Sequence, residues 1–272
     1  MIARLFNRWI FEKFGKISGG LTTAFTVVIV FVQSEHQTTA LICFLVLLFL
    51  SYVGVVIFAN RKKSVTIKIR NTKIIIKEGN LFEETGVKVI PANEFFDVDI
   101  DNGVIDPNSL HGQYIRNYSN KSPEALYNDI VISLQSKKPK TIDQERSHGG
   151  QIRYELGTIY DDKQGFFLVA YSKFDKDNRA YLKNDDIVQC YTNLWNEIDI
   201  VRGTKSIVFP VLGAGGIVRF SREYKPQQLI ELMLWSFRTS GIQLSKNATM
   251  TIVVHETLTR DIDFLRLSYY SD

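Results

Sequence analysis

Between residues 17 and 59 the chain carries no Lys, Arg or Asp and a single Glu. A stretch of that kind has few ways to fold, because it offers little polar surface to water. Two apolar runs make it up. Residues 17–32 would form about 24 Å of helix and residues 39–59 about 30 Å, against a bilayer core of roughly 30 Å. They are joined by QSEHQT, which has no Lys or Arg, whereas Arg4, Arg8, Lys13 and Lys16 lie before them and Arg61, Lys62 and Lys63 after. The positive-inside rule then predicts a hairpin that crosses the cell (inner) membrane twice, with both termini cytoplasmic. A cleaved signal peptide is disfavoured because no small-x-small site follows Val32. A buried hairpin of a soluble protein is disfavoured by the uncharged length and the basic triplet.

Residues 1–16 add a basic, amphipathic segment. Ile2, Leu5, Phe6, Trp9, Ile10 and Phe14 recur at helical spacing, with Arg4, Asn7, Arg8 and Lys13 opposite. This pattern fits a helix lying in the membrane interface or a plain extension of the first span. The two runs hold no ionisable residue to mark an ion path, which argues against a transporter. Gly19, Gly20 and Ala24 would allow close helix packing. The net charge of +4 gathers around this region, and so favours contact with a membrane surface over nucleic acid. Cys43 and Cys190 make no disulfide framework, as expected for a reduced compartment.

From residue 64 the periodicity changes. VTIKIR and TKIIIKEG read as strands joined by a turn at Asn71, and VKVIPAN as a third strand ending at Pro91. Helices are expected in SLHGQYIRNY, PEALYNDIVISLQ, NDDIVQCYTNLWNEID, residues 226–239 and TRDIDFLRLSYY. Strands are expected in QIRYELGTIY, GFFLVAYS, residues 206–212 and ATMTIVVHE. Strands alternating with helices after a β start predict a mixed sheet covered on both faces. The expected organisation is a segment 1–16, a hairpin 17–63 and a cytoplasmic α/β domain 64–272.

The run FPVLGAGG ends a strand in consecutive glycines. A dinucleotide fingerprint would place a third glycine where Val218 stands and start a helix at the glycines, yet the next helix signal is Pro226. The dinucleotide reading therefore fails. Consecutive glycines at a strand's C-terminal end still let several N–H groups converge on a phosphate, and a plain strand-to-helix turn is the alternative. The long loop from Glu94 to Asn108, with Gly103, enters a helix near Ser109 and offers a second cradle of backbone N–H groups.

With EGNL, VIPAN, the loop to SLHGQYI and FPVLGAGG in this order, the chain resembles the macro domain, the ADP-ribose-binding α/β/α fold, over roughly residues 65–270. With the N-terminal hairpin, it is similar to the membrane-anchored macro-domain effectors of type II Thoeris anti-phage systems. That resemblance implies an ADP-ribose derivative as ligand, a histidine or imidazole-type conjugate among the candidates, made by a partner TIR-domain enzyme. It implies no cofactor, homo-oligomerisation on activation and no nucleic-acid partner. Carried over by motif, Asn80 would meet the adenine amino group, where macro domains usually have an aspartate, and Asn93 the distal ribose. Asn102, Gly103, Val104 and Ile105 would form one phosphate loop, and Gly213, Ala214, Gly215, Gly216 and Ile217 the other. Arg219 would add a cation near the diphosphate, and Phe220 a stacking ring. His111 beside Gly112 is either a ligand contact or a helix-surface residue.

Asp97, Asp99 and Asp101 do not match a calcium loop, since Asn102 and Asn108 stand where Gly and Glu are required, and a solvated edge is expected instead. His36, His111, His148 and His255 lack metal-ligand spacing, so no metal is expected. Cys190 reads as core. No acid–base pair accompanies Asn93, which predicts no catalytic residues and a sensor, not an enzyme. The alternatives are a membrane-tethered ADP-ribosyl hydrolase and a passive ADP-ribose-binding anchor.

Overall fold

The computed structural model describes residues 8–137, 141–146, 148–175, 177–215 and 224–272. The chain divides into two compact units, residues 1–65 with 263–269 and residues 66–262 with 270–272.

The first unit is built on α1 (Arg8–Ile29) and α2 (Gln37–Arg61), with a 3-10 turn at Ser34–His36 between them. The helices run antiparallel: Trp9 stacks on Phe58 at 6.0 Å, Phe14 meets Tyr52 edge-on at 5.3 Å, and Phe25 stacks on Phe44 at 4.1 Å. Residues 8–16 belong to the same unbroken helix as residues 17–29. The expected run 17–32 loses its last residues, because Phe31 N bonds Val28 O and Val32 N bonds Ile29 O in tight i+3 turns that end α1. Gly19 and Gly20 do not serve close packing within the chain: apart from the helix's own backbone, nothing lies within 4 Å of a Cβ at either. One described helix, Ser34–Arg61, is long and apolar enough to cross a membrane, with a mean hydropathy of 3.0. α1 carries Arg8, Glu12, Lys13 and Lys16 in its first half, which leaves about 20 Å of uncharged helix.

The second unit contains β1 (Ser64–Ile69) from residue 66 on, β2 (Thr72–Glu78), β3 (Val87–Asn93), α3 (Leu110–Asn117), α4 (Pro123–Ser133), β4 (Thr141–Ile142) and β5 (Ile152–Arg153). It continues with β6 (Ile159–Asp161), β7 (Phe166–Phe174), β8 (Ala180–Tyr181), α5 (Asn184–Val201), β9 (Ile207–Pro210), α6 (Pro226–Ser240) and β10 (Thr249–Val254). The sheet order is β1–β2–β10–β9–β3–β7–β6, with β8 paired to the far end of β7. The pairs β2/β10, β10/β9, β9/β3 and β3/β7 are parallel, while β6 and β8 pair antiparallel with β7.

Sequence explains both covered faces. In the register Ile90↔Leu168 and Ala92↔Ala170, residues two apart point one way, and they pack with Tyr114 and Ile115 of α3 and Leu126 and Ile130 of α4. α5 and α6 meet through Trp195, whose ring stands edge-on to Phe209 at 5.4 Å and Phe237 at 5.2 Å. Its Nε1 donates to Ser236 Oγ at 3.1 Å, so the buried indole keeps its hydrogen bond. Helix starts follow their caps: Ser109 Oγ accepts from Gly112 N, and Ser122 Oγ accepts from Ala125 N ahead of Pro123.

The structure corrects several boundaries. β3 continues past Pro91 to Asn93, and β9 stops at Pro210. QIRYELGTIY is two short strands, because the chain turns between them to dock on α5: Asn193 Nδ2 donates to Leu156 O at 2.8 Å. TRDIDFLRLSYY is not one helix. Asp263 Oδ1 accepts from Leu265 N and Arg266 N, which starts a four-residue helix at Phe264–Leu267, after a separate 3-10 turn at Thr259–Asp261.

Gly157 sits in the docking turn with φ +90, and a Cβ there would lie 2.5–2.6 Å from Asn193 Cβ, Cys190 O and Leu194 N. Gly165, with φ +111, has nothing within 4 Å. Gly157→Ala should therefore lower stability by about 3 kcal/mol, and Gly165→Ala by about 1 kcal/mol, from backbone conformation alone. Urea unfolding of the two variants checks this, and equal losses would contradict the packing argument.

Candidate functional site

Parallel pairing brings the C-terminal ends of β2, β10, β9, β3 and β7 to one edge of the sheet. The connections after β3 and after β9 leave in opposite directions, one toward β7 and the other toward β10. Neighbouring strands whose connections part in this way form a topological switch point, the usual ligand crevice of an open α/β sheet. β3 and β9 pair only through Val87↔Ile207 and Lys88↔Val208, so they are unpaired toward their C-terminal ends. An open cleft of about 1420 Å³ lies there. That exceeds the roughly 300–1,000 Å³ of common small-molecule sites, leaving room for an extended ligand.

The turn after β3 is held by two buried side chains. Asn93 Oδ1 accepts from Phe95 N at 2.9 Å and Asp97 N at 3.3 Å, and its Nδ2 donates to Asp97 Oδ2 at 3.0 Å. Within the turn Phe96 takes a left-handed φ of +51 while fully buried, a conformation that costs roughly 1–2 kcal/mol. Asp97 fixes it. Its carboxylate receives Arg146 Nη1 at 2.9 Å, Arg146 Nη2 at 2.6 Å and Gly150 N at 2.6 Å. Arg146 in turn donates to Gly150 O and Asn178 Oδ1 and lies 3.9 Å from the centroid of the Phe95 ring. The solvated edge expected at Asp97 is thus a buried, charge-paired clamp. Sequence gave no signal for it, because Asp97 and Arg146 are far apart along the chain and neither lies in a motif.

Of the residues expected to bind ligand, Asn80, Asn93, Gly103, Val104, Ile105, His111, Gly213, Ala214 and Gly215 line this one cleft. Asn102 is not among the lining residues; its backbone N and its amide Nδ2 both donate to Asp99, at 3.0 and 2.8 Å. Asn80 lines the cleft but is committed locally: its Oδ1 accepts from Phe82 N at 3.1 Å and its Nδ2 donates to Glu83 at 2.9 Å. Asn93 likewise spends its carbonyl oxygen on the turn and retains one amide N–H. Gly216, Ile217, Arg219 and Phe220 lie outside the described residues.

Between the two loops, α3 starts against the cleft. A Cβ on Gly112 would stand 2.2 Å from Asp106 O and 2.7 Å from Pro107 Cα, so only glycine lets the first turn pack on the loop before it. The neighbouring His111 is 4 % exposed rather than on the helix surface, and its Nε2 is buried without a hydrogen-bond partner. Sequence reasoning missed the far rim. Asn178 and Arg179 follow β7, and His255 and Glu256 follow β10. The latter pair was findable, since they follow a strand that reads as parallel and buried. Arg179 is the one Lys or Arg among the described lining residues, beside Glu78, Asp106 and Glu256. Among the described lining residues, the loops at Gly103 and Gly213–Gly215 are suited to hold an anion by backbone N–H groups. Among the described residues no group of His, Cys, Asp or Glu is arranged to hold a metal ion.

Burial lowers the His111 imidazole to about 4, so it is neutral at physiological pH. The unfolded chain takes up this proton near pH 6.5, before the folded chain does. The contribution of His111 to stability is therefore complete above pH 6.5 and falls as pH drops from 6.5 to about 4, by up to about 3 kcal/mol. Urea unfolding at pH 7.5 and 4.5 should show that acid loss in the wild type and a smaller one in His111→Leu. Parallel losses would contradict it.

A family model described as "Thoeris protein ThsA, Macro domain" matches residues 74–255, more than half of the chain. The chain is 32% identical over 241 residues to Thoeris protein ThsA of Bacillus amyloliquefaciens (strain Y2), covering 85% of this chain and 79% of that protein. Among solved structures it is similar to the Oceanobacillus iheyensis macrodomain with ADP, at 14% identity and a TM-score of 0.47, covering 76% of this chain and 95% of that one. A mutant of that macrodomain with ADPR is also 14% identical, with a TM-score of 0.46 and coverages of 76% and 97%. Likenesses of this size carry no weight beside the family match and the relative's identity. On those two findings, the chain belongs to the Thoeris ThsA macro-domain family.

Proposed function

We propose that the protein is a membrane effector of Thoeris defence whose cleft senses an ADP-ribose-derived signal made by a TIR-domain enzyme. The observation that carries this is the convergence of two glycine-containing loops at the switch point between β3 and β9, in a chain of the ThsA macro family. The loop at Gly103, Val104 and Ile105 and the loop at Gly213, Ala214 and Gly215, continuing through Gly216 and Ile217, would hold the diphosphate by backbone N–H groups. His111, Asn93 and Asn80 would meet the remainder of the ligand, Arg219 would add a cation near the diphosphate and Phe220 a stacking ring. The base or amino acid attached to the ADP-ribose, a histidine or imidazole-type group among them, is left to the rest of this large cleft.

In the same reading residues 17–63 anchor the protein in the inner membrane, with residues 1–16 and 64–272 in the cytoplasm. Support comes from the apolar exposure of α2, where Ile42, Leu45, Phe49 and Phe58 are each more than half exposed. The basic residues at both ends of the hairpin support the orientation. α1 completes the crossing by letting Lys13 and Lys16 reach back to the interface. Ligand binding would favour one oligomeric arrangement, and clustered hairpins would disrupt the membrane. Only a ligand with different affinity for the two states can do this, by roughly 5 kcal/mol for a shift from mostly off to mostly on.

A sensing role is favoured over hydrolysis because Asp97, the carboxylate nearest Asn93, is fully engaged by Arg146 and Gly150. It is poorly placed to move a proton. Titration calorimetry of ADP-ribose into the full chain in nanodiscs should give saturable binding with the ligand recovered intact. Among the described residues no atom lies within 4 Å of a Cβ at Gly215, so Gly215→Glu should fold yet bind about a hundredfold more weakly, through like-charge repulsion. Turnover of an ADP-ribosylated substrate would favour the tethered hydrolase, and absence of binding would contradict both.

A further inference from the structure

The hairpin carries a feature that its role as an anchor does not require. A groove of about 660 Å³ runs between α1 and α2. One wall is Trp9, Lys13 and Ile17, the other Gly54, Phe58 and Lys62. Trp9, Lys13 and Ile17 lie on one face of α1, and Ser51, Gly54, Val55 and Phe58 on one face of α2, with Lys62 just past its C-terminal end. Along α1 the set spans about 12 Å, the depth of a headgroup and the upper part of an acyl chain.

Two lysines line the groove, one on each side of the level at which Trp9 meets Phe58. Lys13 folds back so that its Nζ lies 5.7 Å from the centroid of the Trp9 ring, and Trp9 is stacked on Phe58. Lys62 caps the C-terminal end of α2, four residues after Phe58, with an extended backbone. Among the described residues no Asp or Glu lines the groove, and Glu12, the nearest carboxylate in sequence to Lys13, is bound to Arg8 at 2.8 Å and Tyr269 at 3.2 Å. Two ammonium groups thus face a cavity that supplies no counter-charge. Toward the other end lie Ile17, Val55 and Ser51, whose Oγ is turned back onto Leu48 O at 2.7 Å. Gly54 does not serve helix packing there, since nothing lies within 4 Å of where its Cβ would stand, and the missing side chain leaves a hollow beside Phe58.

We infer that this groove binds one anionic phospholipid, with its phosphate between Lys13 and Lys62 and an acyl chain along Ile17, Gly54 and Phe58. The inference rests on the membrane reading above. Charge complementarity selects this occupant. A second copy of the same face would bring two more lysines to a site that already lacks an anion. A soluble nucleotide would leave the apolar end unfilled. A bound anionic lipid would fix the depth of the hairpin and tie it to the anionic leaflet.

The test is native mass spectrometry of the full chain released from detergent with dioleoyl phosphatidylglycerol or dioleoyl phosphatidylcholine added. One phosphatidylglycerol should be retained over phosphatidylcholine. Lys13→Gln with Lys62→Gln should weaken its retention roughly thirtyfold, at about fivefold for each lysine. The charge-matched control, Lys16→Gln with Arg61→Gln, should keep it, and Gly54→Phe should expel the lipid without altering charge. Equal retention of both lipids, or equal loss in the control, would overturn the proposal by reducing it to diffuse surface charge. If Gly54→Phe abolished a dimer and left lipid retention unchanged, the groove would belong to a second copy and the proposal would fail. Flotation with phosphatidylcholine vesicles separates the two readings. A chain that floats but retains no lipid sinks this inference alone, and a chain that never floats sinks the membrane reading with it.

Discussion

A carboxylate removed from water must be met by donors or it unfolds its surroundings, and the side chain of Asp97 is completely buried. It is met by both terminal nitrogens of Arg146, by Gly150 N and by the amide of Asn93. Through those bonds one residue ties together the end of β3, the segment before β5 and, by way of Arg146, Asn178 on the rim of the cleft. The strained turn at Phe96 persists because these partners over-determine it. Losing one partner of such a pair costs about 3–5 kcal/mol, and here the loss would fall on the turn that leads from β3 into the cleft.

The position of the cleft follows from topology rather than from any single motif. Parallel strands place their C-terminal ends together, and the reversal of direction at β3 and β9 opens a crevice that no side chain has to carve. Recognition in a cleft with one described Arg and three carboxylates must lean on backbone N–H groups. A neutral, buried His111 fits the same logic, since it offers a hydrogen-bonding edge without the cost of burying a charge.

Much of this was legible in sequence for a simple reason. Buried parallel strands are continuous β-branched runs, and strands such as TKIIIKEG or GFFLVAYS announce themselves by composition. The glycines at 213 and 215 were legible for the same local reason. What was not legible depended on contacts distant in sequence. QIRYELGTIY breaks because Leu156 and Gly157 dock on α5, and TRDIDFLRLSYY breaks where Asp263 caps a later start. Asp97 looked solvated because its partner lies 49 residues away. Asn102 was expected at the phosphate, but a shorter-range bond to Asp99 claims its amide. Family membership then narrowed what geometry left open, from a large cleft at a topological switch point to that of a Thoeris ThsA macro domain.

The central claim is that occupancy of the cleft governs what the hairpin does to a membrane. The most direct measurement is dye release from phosphatidylglycerol-containing vesicles that carry the full chain, on addition of the product mixture of a Thoeris TIR enzyme. The account predicts release that saturates with added signal, is absent without it, and is lost in Gly215→Glu while that variant remains membrane-bound. Release that ignores the signal, or that persists in Gly215→Glu, would contradict it.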